Sequence, residues 1–189
     1  MRRFYVDLPP DTEPRPGLRA SLDAEESRHV RTVLRLADGD PVELTDGRGH
    51  VLAGVVAGGG RKAVAVEITA VREELVEAAP PQLHLACAVV KGKRFEYAVE
   101  KAVELGAHVI TPLETRRGVI DPRDGKRDRW QHLLVGALKQ SGRCHCPQLR
   151  PLLRLEALLT AASGPLLYGA APDDAVAMPR QSPIQAVQE

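Results

Sequence analysis

The stretch that decides the fold is Leu83–Ile110, LHLACAVVKGKRFEYAVEKAVELGAHVI. Leu83 to Val90 is one apolar run, the pattern of a strand covered on both faces. Lys91-Gly92-Lys93-Arg94 interrupts it, and Phe95 to Leu105 then places Ala98, Val99, Ala102 and Leu105 near helical spacing. Gly106 is a helix-ending glycine, and His108-Val109-Ile110 begins another strand. Strand, basic turn, helix, strand is the unit of an α/β domain with a parallel sheet.

The pattern continues downstream. Trp130 to Lys139 reads as a helix with Leu133, Leu134 and Ala137 inward, Leu155 to Ala162 as a short helix, and Pro165 to Tyr168 as a strand. Upstream the rhythm differs. Ser21 to Leu36 predicts a helix capped by Ser21 or Asp23, with Glu25 and Glu26 in its first turn and a stripe of Val30, Val33, Leu34 and Leu36. Val42–Leu44 and Val51–Val56 read as strands around an Asp46-Gly47 hairpin turn, Gly58-Gly59-Gly60 as the next turn, and Ala63–Val71 as an alternating strand. Short strands with tight turns imply a small barrel. The expected division is 1–75 for the β-rich part and 76–189 for the α/β part, with Glu73 to Pro81 as the link.

Composition narrows the function classes. The 189 residues carry 43% hydrophobic and only 3% aromatic side chains, so Val, Leu, Ala and Ile must build the cores. No run approaches the roughly eighteen apolar residues of a membrane helix, and Met1 to Val6 leads into Pro9-Pro10 rather than a secretory apolar segment. Three cysteines in such a chain point to a reducing cytoplasm. Cys144-His145-Cys146 lacks a second cluster at zinc spacing, so no metal is expected. Net charge is only +1, but basic residues gather late, at Arg116, Arg117, Arg123, Lys126, Arg127 and Arg129, and again at Lys139, Arg143, Arg150 and Arg154.

Four groups of residues are candidates for chemistry. Lys91, Lys93 and Arg94 follow a strand, where open α/β sheets bind ligands, and could hold phosphates; the plain alternative is a solvated turn. Glu96, Glu100, Lys101 and Glu104 read as a solvated helix face with an ion pair. Gln140-Ser141-Gly142-Arg143 closes a helix; Ser141 lacks the partners of a nucleophile, while Arg143 suits a phosphate or base contact. Cys87 reads as packing. Residue patterns alone reach an RNA-binding α/β protein and stop short of a reaction.

The ordered set of segments resembles a family. Met1-Arg2-Arg3-Phe4-Tyr5-Val6, His29 with Val33 to Leu36, Gly39-Asp40 and Asp46-Gly47 are similar to the N-terminal domain of bacterial 16S ribosomal RNA uridine-N3 methyltransferases. Lys91-Gly92, Arg94, Glu96, Glu100-Lys101-Ala102, Glu104-Leu105-Gly106, Ile110, Pro112, Arg129-Trp130, Gln140 to Arg143 and Pro147 follow the same family's order. The resemblance implies a PUA-like β-barrel followed by a SPOUT-type α/β domain that binds S-adenosylmethionine in a trefoil knot. It implies a homodimer acting on 16S ribosomal RNA of the small subunit, without membrane or metal. It marks Arg2, Arg3, Lys91, Lys93, Arg94, Arg116, Gln140 and Arg143 for RNA, Arg94 and Arg143 for the charge that develops on the uracil, and Leu167 and Gly169 for the cofactor.

Two family stretches, a Gly-Pro-Glu-Gly-Gly loop and a later Leu-Gly-x-Arg-Ile-Leu-Arg segment, do not occur by Glu189, and Arg116-Arg117-Gly118 replaces the usual Glu-Arg-Ser. The knot is therefore expected to be incomplete in this stretch of chain. The alternative reading is an RNA-binding module without catalysis, with apolar surface left open to association.

Overall fold

The computed structural model describes residues 3–73, 82–91, 93–115, 126–162 and 164–167. Met1–Leu153 forms one compact unit and Arg154–Glu189 a second. The first contains two sheets, each with its own apolar core.

The N-terminal sheet is built from β1 (Arg3–Tyr5), β2 (Arg19–Ser21), β3 (Pro41–Thr45), β4 (His50–Gly60) and β5 (Ala63–Glu73), in the order β1-β3-β4-β5-β2. β1 lies parallel to β3; the other neighbours are antiparallel. In β5, Val64, Val66 and Ile68 are buried, the period of a strand with one covered face. They meet Phe4, Leu44, Leu52 and Val56 in a core closed by Leu22 and Val30. The Asp46-Gly47 turn stands where the sequence places it. The Asp46 carboxylate accepts the backbone N–H of Arg48 at 2.9 Å and meets His50 Nδ1 at 2.7 Å.

Two local expectations are corrected. The glycine triplet does not turn the chain: β4 runs through Gly60, its register shifts between Val56 and Gly59, and Arg61-Lys62 form the turn. Glycines at 58 and 59, both at positive φ, permit that bulge. The expected helix over 21–36 is also shorter. α1 spans Ala24–Arg28, capped by Asp23, whose carboxylate accepts the Glu26 N–H at 2.7 Å. His29–Val33 then widens into a π turn, which rotates Val33 outward to 60% exposure while Val30 stays in the core.

Three of the four described strands of the second sheet, β6 (Leu83–Ala88), β7 (Ala107–Glu114) and β8 (Gln148–Leu149), run parallel in the order β6-β7-β8. The parallel α/β reading is confirmed, but the strand buried on both faces is β7, not β6. Ile110, Thr111 and Leu113 are buried, whereas Leu83 of β6 is 53% exposed. β6 lies at the edge, and no described strand pairs with its outer side.

α2 (Arg94–Glu104) packs on this sheet, and α3 (Lys126–Ser141) packs on α2. α2 buries Phe95, Val99, Ala102 and Val103, one face at helical spacing. Leu105, expected inward, caps the helix and is 74% exposed. Gly106 follows at φ +84 as the helix-ending glycine. α3 buries Trp130, Leu134, Ala137 and Leu138, with the Trp130 ring 4.6 Å from that of Phe95.

The two halves of the first unit are tied by the segment after α3. Cys146 N–H donates to Gly47 C=O at 2.8 Å and Gly49 N–H to Cys144 C=O at 3.1 Å, so Cys144–Cys146 pairs with the β3–β4 turn. Lys139 of α3 forms an ion pair with Glu26 of α1, whose side chain is 4% exposed.

The second unit contributes α4 (Leu155–Ala161), none of whose residues is buried. Leu155, Leu159, Leu166 and Leu167 are exposed. Pro165–Leu167, expected as a strand, has no regular structure, and Tyr168 lies outside the described residues.

Candidate functional site

Parallel strands aim their C-terminal ends at one side of a sheet, and the following helices begin there. At the end of β6 this produces a cleft of about 330 Å³ lined by Val89, Val90, Lys93, Phe95, Glu96, Lys126, Arg129 and Trp130. Its apolar floor is the Phe95–Trp130 pair, 2% and 5% exposed. Its rim holds three cations and one carboxylate: Lys93, Lys126 and Arg129 against Glu96. Arg129 pairs with Glu96 at 2.8 Å. Both helices start at the cleft, and the N-cap of α2, Lys93, makes no side-chain capping bond. Unbonded N–H groups at a helix start add to a positive field.

The residues marked from the sequence fall into three sets. Lys91, Lys93 and Arg94 are exposed at the start of α2, and Gln140 is exposed near the end of α3. Arg3 and Arg143 are engaged within the fold. Arg3 Nε meets Glu43 at 2.9 Å, its partner in the β1–β3 register, and its Nη1 donates to the Gly142 and Arg143 carbonyls. Arg143 Nε donates to Glu104 C=O at 3.0 Å, where the end of α2 leaves a carbonyl unpaired. Its guanidinium lies so close to Gly106 that a Cβ there would stand 2.7 Å from Nη1. Arg2, Gly92, Arg116 and Gly169 lie outside the described residues. Leu167 is 70% exposed.

Other candidates take structural places. Lys101 bonds Glu104 at 2.7 Å and reaches Glu100 at 3.5 Å, so the adjacent pair does touch, through the length of the lysine side chain. Cys87 is half-buried beside the core, and burial raises its thiol pKa. Burial pushes the Cys146 thiol up to about 11. His84 meets Thr111 Oγ1 at 2.7 Å; desolvation, then Arg150, lowers its pKa. Among the described residues no group of three His, Cys, Asp or Glu side chains could hold a metal ion, and no helix is long and apolar enough to cross a membrane. Leu167 does not line the cleft at the end of β6.

Sequence reading found Lys93 and the Arg129-Trp130 pair separately but not their meeting. The available signal was the basic run reaching Lys126 just ahead of a helix whose first inward residue is aromatic.

Comparison with known proteins matches an RNA methyltransferase domain over residues 77–185 and an RNA methyltransferase PUA domain over 22–69. Ribosomal RNA small subunit methyltransferase E of Mycobacterium bovis is 30% identical over 172 residues, 89% of this chain and 63% of that protein. The Bacillus subtilis protein of the same name is 27% identical over 84% of this chain and 63% of its own length. Among solved structures, a Legionella pneumophila methyltransferase in complex with SAM superposes with a TM-score of 0.75 at 32% identity, over 85% of this chain and 66% of that one. Ribosomal RNA small subunit methyltransferase E from Neisseria gonorrhoeae, bound to S-adenosyl methionine, gives 0.72 at 25% identity, over 86% and 66%. The chain thus spans just under two thirds of the length of these relatives.

Proposed function

From the premise that the chain belongs to the RNA methyltransferase domain family, we propose that it acts in S-adenosylmethionine-dependent methylation of small-subunit ribosomal RNA, at N3 of a uridine in 16S RNA. The observation that carries the reading is the order of the two matched domains, PUA over 22–69 and methyltransferase over 77–185, along one chain. On this reading residues 1–75 grip RNA and 76–189 belong to the domain of methyl transfer. The protein works in the cytoplasm as a homodimer.

The chemistry asks for a group that favours loss of the uracil N3 proton, since the anion is the nucleophile. Arg94, exposed beside the cleft, serves as a mobile cation for that charge or for a neighbouring phosphate. Arg143 stands on a firmer mount at the end of α2 and presents its charge from a fixed position. Lys91, Lys93, Arg116, Gln140 and Arg2 would contact RNA, and Arg3 would orient the end of α3 through its bonds to Gly142 and Arg143. Leu167 and Gly169 would form one wall for the cofactor, whose role is to supply the methyl group.

The test is transfer of labelled methyl groups from S-adenosylmethionine to small ribosomal subunits, with Arg94→Ala and Arg143→Ala measured beside the wild type. A fall of about 10²-fold or more in either is expected for loss of a charge-stabilising group. Undiminished transfer by both would remove their assigned roles. An Arg143→Ala loss accompanied by an equal fall in folded population would count as structural.

A further inference from the structure

We infer that the cleft between the starts of α2 and α3 is a docking site for one backbone phosphate of RNA. The inference rests on the RNA reading above but assigns a subsite to residues from two separate segments, 89–96 and 126–130. Lys93 and Lys126 line the cleft with no ion-pair partner among the described residues, and the one carboxylate among the described lining residues, Glu96, already faces Arg129. Among the described residues the rim therefore carries three cations against one anion, over an apolar floor of Phe95 and Trp130.

The composition of the cleft selects the ligand class. Phe95 and Trp130 are turned into the core at 2% and 5% exposure, so neither offers an open ring face for a base to stack upon. What is presented outward is positive charge, together with the uncapped start of α2. That combination suits a compact anion, and a phosphodiester is the repeating anion of RNA. The location at the C-terminal end of β6 is also where a parallel sheet leaves a crevice.

The protein contains a single tryptophan, and it lies in this cleft. Its emission is therefore a local probe. A single-stranded RNA dodecamer is titrated into the 189-residue chain at several salt concentrations, with inorganic phosphate as a separate titrant, and a Lys93→Gln/Lys126→Gln variant is compared. Lys93 is exposed and Lys126 half-buried, so these replacements leave the core intact; far-ultraviolet circular dichroism verifies this.

The expected result is a change of Trp130 emission on RNA binding that the variant loses. RNA affinity should fall about tenfold, and the slope of log K against log salt should shrink by about 0.7, the value for one single-strand phosphate contact. Equal affinity and equal slope in wild type and variant would overturn the cleft assignment while leaving the RNA reading standing. No RNA binding by the wild type would overturn both. A Trp130 response to millimolar inorganic phosphate that RNA neither reproduces nor competes with would assign the cleft to a small free phosphate and overturn the proposal.

Discussion

Replacing Lys139 by Met should uncouple the two halves of the first unit at a measurable cost. Lys139 pairs with Glu26, and their side chains are 22% and 4% exposed. The other Glu26 oxygen, Oε2, already has no hydrogen-bond partner within the described residues. Removing the ammonium leaves a carboxylate that water scarcely reaches. Loss of one partner from a fully buried pair costs about 3–5 kcal/mol. The partial exposure of Lys139 lets solvent screen part of this, so about 2–3 kcal/mol is expected. For a chain of this size that corresponds to a fall in Tm of about 5–10 °C. The Glu26→Gln/Lys139→Met double variant buries no net charge and should return to within about 1 kcal/mol of wild type. Urea unfolding followed by circular dichroism measures all three proteins. A Lys139→Met protein within about 0.5 kcal/mol of wild type, or a double variant no better than the single, would refute the reasoning.

Three further outcomes follow from the geometry. Gly106→Ala places a Cβ 2.7 Å from Arg143 Nη1 at a φ of +84, and should cost about 1–2 kcal/mol from the backbone alone; if it leaves both stability and methyl transfer unchanged, Arg143 is not held there. Burial, with Asp7 next, pushes the Tyr5 hydroxyl up to about 12 from 10.0. The folded state then keeps a proton that the unfolded state releases, so stability is fully present below pH 10 and declines as pH rises toward 12; Tyr5→Phe should flatten that decline in urea titrations at graded pH. Cys144 is buried, and burial raises the thiols of Cys87 and Cys146, so Ellman's reagent at pH 8 should react slowly with the native protein and quickly in guanidinium.

Much of the fold was legible because periodicity reports local burial. The alternation of Val64, Val66 and Ile68 marked β5, and Val99 with Ala102 marked the inner face of α2. Periodicity failed where neighbours outside the segment decide. The apolar composition of Leu83–Val90 pointed to a central strand, yet among the described strands β6 lies at the edge, paired on one side by β7. The glycine triplet was read as a turn, since sequence shows that glycines permit unusual backbone but not that a bulge rather than a reversal uses it. The basic residues were visible individually. Their sorting into inward and outward sets was not. Arg3 is held by Glu43, 40 positions away, through a strand register that no local pattern announces. The cleft likewise gathers residues from 89 to 130, and the packing of Phe95 on Trp130 together with the Arg129–Glu96 pair brings the starts of the two helices together.

The central claim is tested most directly by incubating the chain with S-adenosylmethionine and small ribosomal subunits, then digesting the RNA to nucleosides for mass spectrometry. The expected product is 3-methyluridine, formed in proportion to the protein added, with no methyl group on other bases. Methylation of a different base, or no methylated nucleoside under conditions where the protein binds the subunit, would contradict it.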